Sequence, residues 1–275
     1  MPTQPEVTNM ALFCDFENIA LGVRDLKNTP FDISKVLERL LLKGSIVVKK
    51  AYCDWDRYKD FKGKMHEAAF ELIEIPHVRQ SGKNSADIRM VVDALDLCYT
   101  KSHVDAFVII SGDSDFSPLV SKLRENNKYV IGIGVKDSTS DLLSANCDEF
   151  IFYDDLVREK KPKKKLPEKK PQAKASGTEA TQTAPAKKDD DKKQEALDFI
   201  VETIEALIAE RGEEEKMWGS MVKQTMKRRR PGFAESAYGY RSFRELVEDA
   251  QKQNLLVMQR DDKSGQYTIR LPQTE

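Results

Sequence analysis

The sequence predicts an α/β protein: a parallel sheet with helices on both faces, then a disordered Lys-rich linker, then a small winged helix-turn-helix domain. Between residues 8 and 157, short apolar runs alternate with helix-length amphipathic stretches. Runs such as AFVII and YVIGIGV are apolar throughout, which is typical of parallel strands buried on both faces. A Lys- and Pro-rich segment at 158–193 separates this pattern from a mainly helical one at 194–275.

The composition excludes several classes of protein. The chain has 275 residues, 45 Lys and Arg, 46 Asp and Glu, and a net charge of −1, so it is long enough for two domains. No apolar run approaches the roughly 20 residues of a membrane helix, and the first ten residues lack a secretion signal. The four cysteines are scattered without a CxxC pair, as expected of reduced packing residues. We therefore expect a cytoplasmic protein that does not associate with membranes.

The first domain is expected to contain six strands and five helices. The apolar runs place the strands at Met10–Asp15, Ser45–Cys53, Leu72–His77, Ala106–Ser111, Tyr129–Val135 and Phe150–Phe152. The amphipathic stretches place the helices near 32–43, 57–70, 84–100, 117–127 and 140–145. Such an alternation gives a three-layer domain in which ligands bind beyond the carboxyl ends of the strands.

Carboxylates stand at two of these strand ends. The first strand runs into Asp15 in FCDFEN, and the fourth, in VIISGDSDFSPL, leads to Asp113, with Asp115 two residues on. An isolated Asp at such a position is often a cap or turn residue. Because two strands end in the same way, the pattern favours a functional site.

A third acidic position lies at the start of the helix predicted at 84–100. Asp87 shares a stripe with Val91 and Ala94, so we expect it at the edge of the buried side, where a carboxylate is costly unless it is compensated. The alternative is an ordinary partner of the helix dipole. The residues predicted to form the apolar face of this helix are Ile88, Val91, Val92, Leu95 and Cys98, and those predicted to face solvent are Arg89, Asp93 and Asp96.

Convergence of Asp15, Asp87, Asp113 and Asp115 would favour a cation. Two carboxylates about 4 Å apart repel by roughly 4 kcal/mol at an effective dielectric of 20. Oxygen ligands without neighbouring His or Cys favour Mg²⁺ or Mn²⁺. These ions suit phosphodiester hydrolysis, because they lower the pKa of an attacking water and stabilise the leaving oxygen.

The near-zero net charge conceals an asymmetry along the chain. Residues 1–157 carry a net charge of −6, residues 158–193 a net charge of +7, and residues 194–275 a net charge of −2. The middle segment has one Leu as its only large apolar side chain, so burial cannot compensate for the entropy lost on ordering it. We expect a disordered tether whose lysines are either solvated or bound to nucleic-acid phosphates.

The segment 194–275 is expected to fold as three helices and a hairpin. Apolar residues recur at helical spacing from Leu197 to Ile208, and a second helix lies around Trp218–Lys227. A third helix starts at the capping box Ser242-x-x-Glu245. The alternating stretch LLVMQRDDKSGQYTIRL then predicts a hairpin. Together these elements indicate a winged helix-turn-helix.

Four segments of the first domain carry a resemblance to a known family. They are ALFCDFENI, KNSADIRMVVDAL, VIISGDSDFSPLVSKLRENNKYVIGIG and LLSANCDEF. In this order, and over nearly the whole domain, they resemble the NYN domain of the LabA type, a relative of PIN nucleases. The resemblance implies a PIN-like sheet and a ribonuclease site that depends on Mg²⁺ or Mn²⁺.

The resemblance also implies roles for the matching residues. Those at catalytic and metal-binding positions are Asp15, Asp87, Asp113 and Asp115, with Asn18 as a further catalytic residue. Those at adjoining positions, where RNA would be contacted, are Ser111 and Lys83. None of the four acids is missing, so nothing in the sequence indicates an inactive enzyme.

The second domain resembles the OST-HTH, or LOTUS, domain, above all in KQTMKRRRPGFAESAYGYRSFRELV. Members of that family bind RNA or protein partners, and their pairing with a NYN domain recurs. The RNA contacts expected from the resemblance and from the basic and aromatic composition are Lys223, Lys227, Arg228, Arg229, Arg230, Tyr238 and Arg241. Tyr240 is also available for base stacking. The alternative is that the arginine run is a solvated helix end and that Tyr240 and Phe243 belong to the core.

The sequence therefore predicts a metal-dependent ribonuclease whose tethered second domain holds RNA. Three alternatives stay open. The first is a noncatalytic RNA-binding regulator or adaptor, and the second is a nuclease that acts on DNA. The third is a phosphatase for small phosphoesters, although its Asp-x-Asp spacing follows the fourth strand here and not the first.

Overall fold

The structure is a computed structural model that describes residues 9–25, 30–75, 85–157, 186–212, 215–261 and 266–272. It divides into two compact units, residues 1–158 and 159–275. Within the described residues, no helix combines the length and the apolar character that crossing a membrane requires.

Six parallel strands form the sheet of the first unit. In chain order they are β1 (Asn9–Asp15), β2 (Ser45–Cys53), β3 (Glu71–Glu74), β4 (Ala106–Ile110), β5 (Tyr129–Gly134) and β6 (Glu149–Phe152). Across the sheet the order is β3-β2-β1-β4-β5-β6, and each neighbouring pair is parallel. The predicted parallel sheet is confirmed. Its strand order reverses between β1 and β4, which is where ligands bind in sheets of this kind.

Helices cover both faces of the sheet. They are α1 (Phe16–Asp25), α2 (Ile33–Lys43), α3 (Lys59–Glu67), α4 (Ser85–Thr100), α5 (Ser117–Glu125), α6 (Asp141–Asn146) and α7 (Tyr153–Val157). Leu12 and Cys14 of β1 pack in one core with residues of α1, α2, α3 and α7. Ala11 and Phe13 pack in the other core with residues of α4, α5 and α6. This alternation is the period of two that a strand buried on both faces requires.

Two helices, α1 and α7, lie outside the sequence predictions. The chain passes directly from Asp15 into α1, a stretch for which no helix was predicted. Phe16, Ile19 and Val23 of this helix recur at helical spacing and are each at most 1% exposed. Their burial stabilises a helix that the polar residues beside Asp15 conceal in the sequence.

The buried face of α4 differs from the predicted one. Met90, Ala94 and Cys98 are buried, whereas Ile88 and Val92 are 63% and 56% exposed. The helix is therefore turned about its axis relative to the prediction. Because apolar residues surround most of this helix, helical spacing alone does not fix which of them face the sheet.

Asp93 of α4 is not solvated, contrary to the prediction. Its side chain is 13% exposed and its Oδ2 accepts a 2.9 Å hydrogen bond from the hydroxyl of Tyr52 on β2. Lys50 lies 3.4 Å from the same oxygen, and Arg89 lies 3.1 Å from Oδ1. These contacts compensate the buried carboxylate and fix α4 against the sheet.

The second unit contains three long helices and an antiparallel pair of strands. They are α8 (Ala186–Arg211), α9 (Gly219–Arg229), α10 (Phe243–Lys252), β7 (Val257–Arg260) and β8 (Tyr267–Arg270). The residues before α9 also join β8, because the amide of Ile269 donates a 2.8 Å hydrogen bond to the carbonyl of Met217. The elements thus follow the predicted order, with the turn of the hairpin outside the described residues.

The predicted cap at the start of α10 is present. The Ser242 hydroxyl oxygen accepts a 3.2 Å hydrogen bond from the amide of Glu245, and the Glu245 carboxylate accepts one of 2.6 Å from the amide of Arg241. Phe243, which follows the cap, is buried. The cap fixes the start of the helix and therefore the register in which its apolar face reaches the core.

The first helix of this unit starts earlier than expected. Helix α8 begins at Ala186, within the segment 158–193 for which the sequence predicts a disordered linker. That prediction is wrong for 186–193, since no Pro or Gly follows Pro185 there to stop the helix. The rest of the expected linker, 158–185, lies outside the described residues.

Candidate active site

The ends of β1 and β4 lie side by side. Cys14 pairs with Ile110 in the parallel register, so Asp15 and Ser111 are the next residues on adjacent strands. These two positions stand where the strand order reverses. The sheet therefore directs both of them to the crevice in which ligands bind in such folds.

Asp15 is a buried carboxylate held by two hydrogen bonds. Its side chain accepts a 3.0 Å bond from the hydroxyl of Ser111 at Oδ2 and a 3.3 Å bond from the amide of Asn18 at Oδ1. The residue is 7% exposed. Burial, followed by the negative charges of Asp87 and Asp113, raises its pKa to about 7, and the two hydrogen bonds oppose that rise.

Asn18 links the two strand ends. Its side-chain oxygen accepts a 2.9 Å hydrogen bond from the amide of Gly112, while its own amide is bound to Asp15. The carbonyl of Gly112 in turn accepts from the amide of Ser140. Asn18, expected as a catalytic residue, therefore has contacts that position the exit of β4 against the start of α1.

Ser111 has a different role from the one expected. It is completely buried, so it offers no surface to RNA, contrary to the prediction. Its oxygen donates to Asp15 and accepts a 3.2 Å hydrogen bond from the amide of Asp113. Ser111 thus orients the carboxylate, a role that the family resemblance did not indicate when it placed this serine among the RNA contacts. Lys83, the other RNA contact expected in this domain, lies outside the described residues.

Asp113 and Asp115 belong to the loop after β4. The Oδ1 of Asp113 accepts a 2.9 Å hydrogen bond from the amide of Asp115 and caps the short 3-10 turn at Ser114–Phe116. Asp115 is exposed, and Asp113 is half-buried. The cap interpretation is correct for Asp113, but capping uses one oxygen and leaves the other for a further interaction.

Asp87, in the first turn of α4, is close enough to the other acids to be affected by their charges. It is half-buried, as expected for a residue at the edge of the buried side. Burial first, then the charges of Asp113, Asp115 and Glu17, raise its pKa to about 6. The charges of Asp87 and Asp113 raise the pKa of Asp15 as well, so Asp15 and Asp87 lie in one electrostatic field with the other predicted acids.

Glu17 is a fifth acid in this field. The sequence places it two residues after Asp15, but no prediction gave it a role. Its Oε1 lies 3.1 Å from a guanidinium nitrogen of Arg57, and it contributes to the raised pKa of Asp87. Its position two residues after a predicted catalytic acid is the sequence feature that could have identified it.

The described acids influence one another electrostatically, but they are not already arranged as the coordination shell of a metal ion. Among the described residues, no three His, Cys, Asp or Glu side chains are grouped closely enough to hold a metal ion. The donor set still fits a hard cation, because Mg²⁺ keeps several of its waters and needs only one or two direct carboxylates. Within the described ranges, no cationic side chain shifts the pKa of Asp15 or Asp87.

Several of the basic residues expected to contact RNA are bound within the second unit. Arg229 is only 11% exposed and contacts Glu202 at 2.5 Å. Arg230 lies 3.0 Å from Glu195 and stacks on Phe199 at 4.2 Å from the ring centre. These two arginines pack against α8, and glutamates of that helix neutralise much of their charge.

Lys223 and Arg228 also have partners inside the unit. The ammonium of Lys223 lies 2.9 Å from Glu235, and Arg228 donates a 3.0 Å hydrogen bond to the hydroxyl of Thr225. Lys227 and Arg241, by contrast, are exposed. Of the expected set, these last two offer the most accessible charge.

The tyrosines of this unit divide between surface and core. Tyr238 is half-buried and stacks on Phe233 at a ring distance of 5.0 Å. Tyr240 is 3% exposed, and its hydroxyl donates a 2.7 Å hydrogen bond to Asp249. The core interpretation is therefore correct for Tyr240.

The chain is similar to known proteins of Methanocaldococcus jannaschii and Vibrio parahaemolyticus. An uncharacterized protein of Methanocaldococcus jannaschii is 30% identical over 142 residues, which cover 50% of this chain and 56% of that protein. The chain thus spans little more than half the length of this relative. A crystal structure of a protein of unknown function from Vibrio parahaemolyticus is 25% identical, with a TM-score of 0.49, and covers 56% of this chain and 98% of its own.

A family model extends over the whole of the sheet. The NYN domain model matches residues 9–156, which is more than half of the chain and runs from the first residue of β1 into α7. The match includes every one of the acids grouped at the strand ends. The chain therefore belongs to the NYN domain family, part of the PIN-like nuclease superfamily.

Proposed function

We propose that this protein is a metal-dependent ribonuclease and that the acids at the ends of β1 and β4 and the start of α4 are its active site. One observation carries the proposal. A nearly buried carboxylate, Asp15, is repelled by Asp87 and Asp113 at the ligand-binding edge of the sheet, and no cationic side chain of the described residues shifts its pKa. Such an arrangement costs stability, and a cation from solution would relieve it.

PIN-like nucleases typically use divalent metals, and the residues here fit one. Asp15, Asp87, Asp113 and Asp115 would hold a Mg²⁺ or Mn²⁺ ion, directly or through its waters. When bound, the ion would lower the pKa of an attacking water and stabilise the leaving oxygen of a phosphodiester.

The surrounding residues prepare this site for the ion. The Ser111 hydroxyl fixes Oδ2 of Asp15, and the amide of Asn18 fixes Oδ1, so the carboxylate keeps one orientation. Both hydrogen bonds favour its charged form. Asp113 is oriented by its bond to the amide of Asp115. These contacts reduce the reorganisation needed when ion and substrate bind.

The second unit supports RNA as the substrate. Its three helices and hairpin follow the order of a winged helix-turn-helix, and we propose that it acts as a LOTUS domain. Lys227, Arg241 and Tyr238 would hold a single strand, the first two through phosphates and the last through a base. The same surface would serve a protein partner in members that bind one.

The free cysteines support a reducing compartment. Cys14, Cys53 and Cys98 are buried, and all four cysteines of the chain are free. Burial raises the pKa of the Cys14 thiol well above its usual value, which keeps it unreactive. We propose a cytoplasmic location on this basis.

A noncatalytic RNA-binding protein is the second candidate. It is favoured by the lack of a preformed group of three metal-binding side chains within the described residues. In that case the acids would hold a structural ion or none, and RNA would bind without being cleaved.

Matched RNA and DNA oligonucleotides separate these functions. The full chain is incubated with single-stranded and duplex forms of each in Mn²⁺, Mg²⁺ or EDTA, beside the Asp113→Asn variant. We expect metal-dependent cleavage of RNA by the wild type and none by the variant. Equal cleavage by both proteins would refute the site, cleavage of DNA alone would refute the substrate, and binding without turnover in any metal would favour the second candidate.

A further inference from the structure

A groove runs from the acidic field along the outer surface of the first unit. It has a volume of about 720 Å³ and lies between α4, α5 and α6. Asp87 and Asp115 line one part of it, so it is continuous with the proposed active site. A volume of several hundred Å³ is that of a small-molecule site.

The walls of the groove are aliphatic. Ile88 and Val92 of α4 and Leu142 of α6 line it, although they are 63%, 56% and 59% exposed. Single exposed apolar side chains are ordinary, but several around one depression form a patch that marks a binding surface. The unexpected orientation of α4 therefore places two of these residues beside Asp87.

A buried hydroxyl in the lining gives a second, independent indication of a ligand. Ser117 is 6% exposed and belongs to the lining of the groove. Its Oγ finds no hydrogen-bond partner among the described residues. A buried polar atom without a partner is destabilising, and a hydrogen bond to a polar atom of a ligand would remove that cost.

The charges of the groove select the kind of ligand. Asp87 and Asp115 are the charged residues of its described lining, and both are carboxylates. Carboxylate oxygens that do not contact the ion accept hydrogen bonds from amino groups, as carboxylates do from the amino edge of a base. An uncharged planar ring with amino and carbonyl edges fits this combination of aliphatic walls, hydroxyl and carboxylates.

We infer that this groove seats the base of the nucleotide next to the cleaved phosphate, with Ile88, Val92 and Leu142 against the ring and Ser117 bonded to its edge. This inference rests on the proposed ribonuclease function and adds a specificity site to it. A base can enter only when it is unpaired and turned out of its stack. The groove thus makes single-stranded or locally opened RNA the substrate.

Binding of a nucleoside tests the groove without any cleavage. The full chain, labelled at its Ile, Leu and Val methyl groups, is titrated with adenosine and, separately, with ribose, in the absence of metal. We expect adenosine to shift the resonances of Ile88, Val92 and Leu142, and ribose to leave them in place. Val92→Ala should weaken adenosine binding by roughly fivefold, and Ser117→Ala should weaken it as well.

Val47→Ala is the matched control. Val47 lies on β2, is 45% exposed, and precedes the carboxyl end of its strand by six residues, or roughly 20 Å. The Val47→Ala variant should show the same methyl shifts with adenosine, and the same affinity for adenosine, as the wild type. Shifts caused equally by ribose, or none with adenosine, would overturn the inference. Concentration-dependent dimers that Val92→Ala abolishes would overturn it as well, by assigning the groove to a second copy of the chain.

Cleavage of RNA with single abasic nucleotides completes the test. We expect an abasic position beside the cut to lower kcat/KM for the wild type by about tenfold, and Val92→Ala to lower kcat/KM for intact RNA but not for that abasic strand. If RNA is cleaved at the same rate with and without the base, the groove does not bind a base, but the proposed ribonuclease function is retained. If adenosine binds in the groove but no RNA is cleaved, the groove is a base-binding site and the proposed ribonuclease function is wrong.

Discussion

The hydroxyl of Ser111 donates a 3.0 Å hydrogen bond to Oδ2 of Asp15. This bond joins the ends of two adjacent parallel strands at the point where the strand order reverses. It fixes the most deeply buried acid of the group in one orientation.

Removal of the Ser111 hydroxyl should raise the pKa of Asp15 further. The hydrogen bond stabilises the charged carboxylate, so Ser111→Ala should shift this pKa above its wild-type value of about 7. Carboxyl ¹³C resonances followed over pH in EDTA measure it. Ser144→Ala, which removes a hydroxyl bonded to the carbonyl of Asp141, is the control and should leave Asp15 unchanged. An equal or lower pKa in Ser111→Ala would contradict the role given to this serine.

The stability of the first unit should fall as the pH rises through neutrality in EDTA. The folded pKa of Asp15, about 7, lies above its unfolded value of about 3.9. The folded state therefore keeps a proton that the unfolded state has lost, and the resulting stabilisation is complete below about pH 4 and lost as the pH passes about 7. Asp15→Asn should flatten this dependence and be more stable than the wild type at pH 8, by on the order of 3 kcal/mol.

Urea denaturation followed by Trp55 fluorescence measures this effect. Trp55 is buried in the core of the first unit, and a Trp218→Phe background removes the signal of the second unit. Asp96→Asn, at an exposed position of α4, is the control and should keep the wild-type pH dependence. A pH dependence equal in Asp15→Asn and wild type would show that Asp15 is not the group concerned.

Gly112 should not tolerate a side chain. A Cβ atom there would lie 2.5 Å from the backbone oxygen of Ser138, so the loop after β4 would have to move. We expect Gly112→Ala to lower the free energy of unfolding by about 1–3 kcal/mol and to disturb the bond from Gly112 to Asn18. Gly63→Ala is the opposite case, because nothing lies within 4 Å of a Cβ at this position of α3. It should raise stability by about 0.5–1 kcal/mol, and a similar loss in both variants would contradict the packing argument.

Two arginines of the second unit should separate RNA binding from stability. Arg241→Gln removes an exposed charge, so it should weaken RNA binding and reduce the slope of log affinity against log salt by about 0.7, with no change in melting temperature. Arg229→Gln removes a side chain that is bonded to Glu202 and Thr203. It should lower the melting temperature of the unit. Fluorescence anisotropy and circular dichroism distinguish the two, and an Arg241→Gln protein with unchanged RNA affinity would exclude this residue from the interface.

The sheet and its acidic edge could be predicted from the sequence because local patterns determine them. Apolar runs mark β1 and β4, and the carboxyl ends of parallel strands meet at one edge, so Asp15 and Asp113 were expected together. Asp87 followed from its place in the first turn of α4. These inferences need only the direction of the chain and the spacing of apolar residues.

The contacts that tune the site could not be predicted in the same way. Ser111 is an ordinary serine in the sequence, and only the register of β1 against β4 brings it to Asp15. Asp93 of α4 accepts a hydrogen bond from Tyr52 of β2, a contact with a residue 41 positions away in sequence. Likewise, Arg229 pairs with Glu202 of α8. Each case depends on a partner distant in sequence, which periodicity does not identify.

The most direct test of the account is the rate of RNA cleavage as Mn²⁺ is titrated into the wild type, Asp15→Asn and Asp87→Asn. The account predicts that cleavage by the wild type rises with Mn²⁺ and saturates. Both variants should keep RNA affinity through the second unit and lose on the order of 100-fold in rate. Cleavage that does not respond to metal, or that survives unchanged in either variant, would contradict a shared metal site built by these acids.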